Sequence, residues 1–215
     1  MEMDRISPGC KDMTTILMFA METFDADTAI HCRCVAKMTE RIGQLLFLED
    51  EQMVDIYIGA LLHDIGKLKI KQEILLKTGS LDDREMKQIK NHAMQGYEIL
   101  RQIKGFEHIA QIVRHHHERW DGSGYPDKIV GEDIPIGARI IAIADSIDAM
   151  LSDRCYRKAL PNWVCYQEIK TNSSNMYDPF ITSAVLLQWD EVLEARKLGL
   201  YTHLPKEYGQ AVLWG

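Results

Sequence analysis

The sequence predicts an all-α protein, a bundle of helices interrupted by one long loop. Three observations predict it. Apolar residues recur at helical spacing along most of the chain, no alternating run is long enough to sustain a sheet, and glycine and proline gather between Glu118 and Pro135. The 215 residues, 46% of them apolar, suffice to fill one core. The expected organisation is a single domain over 1–215, with its core at about 25–190, a short helix before it and a C-terminal extension after it.

Charge and cysteine usage exclude several classes. The net charge is −7 with no lysine- or arginine-rich block, which argues against long DNA or RNA but not against a small phosphorylated ligand. No apolar run approaches the roughly 20 residues that cross a bilayer. The first ten residues lack the basic-then-apolar order of a signal peptide. The five cysteines (Cys10, Cys32, Cys34, Cys155, Cys165) show no CxxC spacing, so free thiols in a reducing cytoplasm are expected rather than structural zinc.

Taken in order, the first helix spans 11–22. The second, 26–47, carries Asp27, His31, Val35 and Met38 around one face. In the third, 50–65, Ile56, Ala60 and His63 line one stripe while Tyr57, Leu61 and Asp64 line the next. A break from Gly66 to Ser80 follows, with Thr78-Gly79-Ser80 as its turn signal. Helix 82–101 carries His92. In helix 106–117, Phe106, Ala110, Val113 and His117 share a face, with His116 beside it. The loop from about Glu118 to Pro135 is long for a compact domain, and Trp120 and Tyr125 argue for order in it. Helix 137–152 is apolar almost all round up to residue 144, and Asp145 then falls on the stripe of Ile141. A buried carboxylate without a partner costs on the order of several kcal/mol, so something cationic must meet Asp145. Helices 162–171 and 179–197 complete the chain.

A lone histidine on an apolar stripe is usually a hydrogen-bonded core residue. Several that end such stripes, beside a buried Asp, point instead to a metal. Neighbours on a regular helix diverge by about 100°, so His63 and Asp64 cannot comfortably chelate one ion, and His116-His117 poses the same difficulty. They can serve two ions if Asp64 bridges. Two metals about 3.5–4 Å apart clamp a phosphoryl group during in-line displacement. Imidazole and carboxylate without thiolate suit iron, manganese, nickel, cobalt or zinc better than calcium or magnesium.

His63-Asp64-Ile65-Gly66-Lys67 resembles the signature of the HD-domain phosphohydrolases. The run from His116-His117 through Gly124-Tyr125-Pro126 is similar to the hallmark of their HD-GYP branch, the cyclic di-GMP phosphodiesterases of bacterial signalling. The likeness continues through Ala138-Arg139-Ile140, Ala144-Asp145 and Ser152–Ala159 to Tyr177-Asp178-Pro179. It implies an HD-type helical bundle with a long GYP loop. It also implies that His31, His63, Asp64 and Asp145 hold one metal, with Asp64 bridging to a second held by His92, His116 and His117. Asp27 stands where some members place a glutamate for a third. Two or three divalent transition metals are therefore expected, iron or manganese foremost.

The resemblance assigns Asp64 and Lys67 to catalysis, and Lys67, Arg154, Arg157 and Tyr125 to the substrate. Asp148 faces the ligand or supports the centre. Three departures, Lys71, Ala93 and Cys155 in place of prolines, remove no ligand. The implied substrate is a cyclic dinucleotide, cyclic di-GMP cleaved to pGpG or on to GMP. The alternatives are another nucleotide such as cyclic GMP-AMP, a di-iron oxygenase, or a non-catalytic binding module. A homodimer or a separate sensor protein would supply regulation. His115 is expected at the surface or behind the centre, Cys32 and Cys34 in packing, and Asp121 in a turn.

Overall fold

The computed structural model describes residues 8–153 and 158–201. Among them, eleven α-helices follow one another, with no strand beyond an isolated Ser173–Tyr177 bridge. The first three are α1 (Pro8–Phe24), α2 (Ala26–Leu45) and α3 (Asp50–Leu62). Then come the short α4 (Gln72–Leu75), α5 (Asp83–Lys90), α6 (His92–Leu100) and α7 (Glu107–His115). The rest are α8 (Ile136–Leu151), α9 (Asn162–Thr171), α10 (Pro179–Leu187) and α11 (Trp189–Tyr201). None is long and apolar enough to cross a membrane.

The helix α2 is the axis of the bundle, with α1, α3, α8, α10 and α11 around it. It starts where Asp25 accepts the backbone N–H groups of Asp27 and Thr28, the capping that a short carboxylate provides. Its buried residues include Ala29, Cys32, Val35, Ala36 and Met38. The helix α8 crosses it with Ile140, Ile141, Ile143 and Ile147 wholly buried. Each such side chain stabilises the fold by roughly 1.5–3 kcal/mol. This fixes the helix that carries Asp145 and Asp148.

Four boundaries depart from the sequence reading. The helix α3 stops at Leu62, and His63-Asp64 form a turn into a 3₁₀ segment, Ile65–Lys69. Likewise α7 stops at His115, leaving His116 and His117 in the turn beyond it. The expected helix 82–101 is broken at Asn91, because α5 buries no residue whereas α6 buries His92, Ala93, Gly96 and Leu100. The change of axis lets the second half enter the core. The expected helix 179–197 breaks at Gln188 (φ −119°, ψ 36°), and α11 turns to lie along α2.

Candidate metal centre

The geometry at the ends of α3 and α7 corrects one expectation, that His63 and Asp64 cannot comfortably share one ion. His63 (φ −57°, ψ −31°) and His116 (φ −66°, ψ −12°) keep helix-like backbone angles, yet in each pair the two side chains lie close together. His63 Nε2 lies 3.6 Å from Asp64 Oδ2, and the rings of His116 and His117 are 4.1 Å apart between centroids. Each pair thus brings its two side chains to one place. His31, His63 and Asp64 form one group with ligand atoms within 4.8 Å of one another, and His92, His116 and His117 form a second. Asp64 stands between them, its Oδ1 3.4 Å from His92 Nε2. Asp145 joins the first group through His31, with Oδ1 3.0 Å from Nε2.

The chemistry of these donors fits a metal. His63, His92 and His116 each donate Nδ1–H to a carbonyl three residues earlier, those of Ala60 (2.8 Å), Ile89 (2.6 Å) and Val113 (2.7 Å). Their Nε2 lone pairs are thereby turned inward. Nε2 of His63 is buried without a hydrogen-bond partner. Nε2 of His92 and Nε2 of His116 face each other at 3.1 Å, with both protons committed to Nδ1. Two lone pairs so placed repel unless a cation accepts them.

The electrostatics agree. Burial depresses the pKa of His63, His92, His116 and His117, that of His117 to about 3. Burial alone would lower His31 too, but hydrogen bonds to Asp145 and Asp148 outweigh it and raise it to about 9. Burial would raise the Asp64 carboxyl, yet Lys67 and the histidines hold it well below the usual range. Asp145 is lowered in the same way by His31.

A cleft of about 400 Å³ reaches the first group at His31 and is lined in part by Asp27, Lys67 and Asp148. Lys67 reaches Asp64 Oδ2 at 2.6 Å. Asp27 is exposed at the rim, one turn before His31 and outside both groups. The carboxylate of Asp148 meets His31 Nδ1 at 2.6 Å and Arg196 Nε at 2.7 Å. Tyr125 stacks on His117 at 4.9 Å, and the Lys90 ammonium lies 5.4 Å over its ring. Arg154 and Arg157 lie outside the described residues.

The long loop is pinned from several sides. Glu118 Oε1 accepts the backbone N–H groups of Asp127 and Lys128, at 2.6 and 2.9 Å. Asp127 accepts two hydrogen bonds from Arg114 and one from His115 at 2.8 Å. His115 is thus buried behind the centre, on the loop. Asp121 turns the chain by accepting the Ser123 N–H. Trp120 lies under the Arg139 guanidinium, which is held in turn by Asp178 at 2.6 Å. Its ring packs the loop onto the bundle. Cys32 is buried, with Sγ 3.7 Å from His63 Nδ1. Sequence reasoning missed Glu118 and Arg196. Glu118 adjoins a motif and was open to notice, whereas Arg196 carries no local signal.

Residues 12–181 match the family described as HD domain. The chain is 35% identical over 188 residues to the 3′3′-cGAMP-specific phosphodiesterase 2 of Vibrio cholerae, covering 86% of this chain and 36% of that protein. It is 36% identical over 185 residues to a cyclic di-GMP phosphodiesterase of Thermotoga maritima, covering 85% and 50%. The chain thus spans a third to a half of the length of these curated relatives. A Bdellovibrio bacteriovorus protein described as HDG"Y"P superposes with a TM-score of 0.62 at 18% identity, covering 85% of this chain and 61% of that one. The HD domain of the phosphodiesterase PgpH from L. monocytogenes, solved in complex with cyclic di-AMP, superposes with 0.56 at 17% identity, covering 82% and 97%. These two likenesses carry the fold.

Proposed function

The chain belongs to the HD-domain family, and we propose that it is a metal-dependent phosphodiesterase acting on a cyclic dinucleotide. The observation that carries this reading is the convergence about Asp64 of the Nε2 atoms of His63, His92 and His116, each with its proton committed to Nδ1. We assign one metal to His31, His63, Asp64 and Asp145, and a second to His92, His116, His117 and the same Asp64. Asp27 is assigned to a third, weaker position. Two ions, when bound, lower the pKa of a water and offset the charge gathering on the phosphoryl oxygens. The absence of thiolate among the donors favours iron or manganese over a structural zinc.

The chain's own residues then have distinct tasks. Asp64, close to His63 and to His92, is assigned as the carboxylate that both ions would share. Lys67 brings an ammonium to the cleft and adds a point charge beside a phosphate oxygen. Arg154 and Arg157 are assigned to the second phosphate, whose planar recognition suits guanidinium. Tyr125 borders the substrate with its hydroxyl. We assign Asp148 to the orientation of His31 rather than to the substrate.

Cyclic di-GMP is the first candidate substrate. The likeness to the cGAMP-specific enzyme of Vibrio cholerae makes 3′3′-cGAMP the second reading. A cytoplasmic protein regulated through a homodimer or a separate sensor fits this role, as do the free thiols of Cys10, Cys32, Cys34 and Cys165. Protein purified anaerobically and loaded with Fe(II) or Mn(II) is expected to convert one of the two cyclic dinucleotides to its linear form. Separation of the products decides between them. Binding of both without cleavage under either metal would overturn the reading.

A further inference from the structure

We propose that Arg196, on α11, is a positioning residue for the metal centre, clamping Asp148 and through it the ring of His31. The inference rests on the metallohydrolase reading above. His31 has one nitrogen, Nε2, directed at Asp145, and the other, Nδ1, directed at Asp148. A ligating imidazole is aimed by whatever holds its second nitrogen, so the orientation of Asp148 sets that of His31. Asp148 in turn has little freedom. Arg196 Nε donates to its Oδ1 at 2.7 Å, and Arg196 Nη2 donates to Ser152 Oγ at 2.7 Å. Ser152 Oγ lies 3.2 Å from Asp148 Oδ2, the oxygen that His31 also uses. The two side chains of the ion pair are 13% and 2% exposed, so water does not loosen it.

The placement of α11 is equally constrained. Val192, Ala195 and Gly199 are its buried face. A Cβ on Gly199 would sit 2.5 Å from Cys34 Cα, so the backbones of α11 and α2 touch there. Cys34 lies three residues after His31 on the same helix. Arg196, three residues before Gly199, is therefore fixed against the helix that carries the ligand. Leu200 reaches the same cleft as His31 and Asp148. This clamp comes from outside the residues that match the family, which end at 181. A segment beyond the common HD core thus completes the support of one half of the centre.

The test uses the full chain stripped of metal and titrated with Co(II), read by visible absorbance and calorimetry. Arg196→Gln keeps much of the side-chain volume and Arg196→Lys keeps the charge; Lys197→Ala, exposed on the same helix, is the control. His31→Ala identifies which class of Co(II) site contains His31. Arg196→Gln is expected to weaken that class about 10- to 100-fold, to leave the other class unchanged, and to melt within a few degrees of wild type. Arg196→Lys is expected to recover part of the loss. Wild-type affinity at both classes in Arg196→Gln would overturn the proposal. So would an equal weakening of both classes with a fall in melting temperature that Arg196→Lys does not rescue. A loaded wild-type chain that left cyclic dinucleotides intact would overturn the phosphodiesterase reading alone, and the Co(II) affinities would still decide the role of Arg196.

Discussion

His63-Asp64 and His116-His117 fall just past the ends of α3 and α7, and in both pairs the neighbouring side chains lie close together. Asp64 has the most connections of the four, with Lys67, His63 and His92 all within 3.6 Å. Asp64→Ala is expected to cut turnover by at least about a hundredfold while far-UV circular dichroism stays helical, since the loss of even an outer-shell partner costs about 10- to 100-fold. Near-wild-type turnover would remove the two-metal assignment. The histidines also set how the metal-free protein responds to pH. Those lowered by burial, His117 to about 3, stay neutral in the fold while the unfolded chain takes up protons below about 6.5. Their contribution is therefore lost as pH falls from about 6.5 towards 3. His31 has the opposite sign, because its pKa is raised to about 9. Its contribution is full below about 6.5 and disappears as pH rises through 9. The melting temperature of the metal-free chain is expected to fall on both sides of neutrality. A profile flat from pH 4 to 9 would contradict these assignments.

At the scale of elements, the 3₁₀ segment Ile65–Lys69 shows how closely the site is framed. A Cβ on Gly66 would lie 2.0 Å from the His92 carbonyl oxygen and 2.6 Å from the Gly96 nitrogen, both backbone atoms that cannot swing aside. Gly66→Ala is expected to cost about 2 kcal/mol or more, as overpacking against a core does, and to displace His92. Denaturant melts together with Co(II) titration of the second site would measure both. The GYP loop hangs on Asp127, whose carboxyl Arg114 and His115 pull down to about 2. Because the folded pKa is the lower, this contribution is present above about 4 and is lost as pH falls to 2. Asp127→Asn should remove that slope from the acid unfolding curve, and an unchanged slope would show that the clamp is not felt.

Most of the candidate centre could be read from the sequence, because His63, His117 and Asp145 each follow an apolar stripe and His31 precedes one. The breaks at Asn91 and Gln188 could not. Neither position holds glycine or proline, and what bends the chain there is the demand of the core for His92 and of α2 for α11. Arg196 was equally silent, since its partner Asp148 is 48 positions away in sequence.

At the scale of the whole molecule, the donors come from almost every part of the bundle. His31 is on α2, His63 and Asp64 follow α3, His92 opens α6, His116 and His117 follow α7, and Asp145 is on α8. An ion held by these groups ties together elements that lie far apart in the sequence. An unfolded chain cannot assemble such a set, so the free energy of binding adds to that of folding. At a free metal concentration 100 times the dissociation constant, one site contributes about 2.7 kcal/mol. For a chain of this size, each kcal/mol moves the melting temperature by about 2–4 °C. Chelation should therefore lower it by roughly 5–10 °C per site emptied, and readdition of Mn(II) or Co(II) should restore it. The same chelation applied to Asp64→Ala should produce a smaller shift, because the carboxylate common to both groups is gone. Equal shifts in wild type and variant would mean that the stabilising ion sits elsewhere, and would separate the histidine cluster from the stability of the fold.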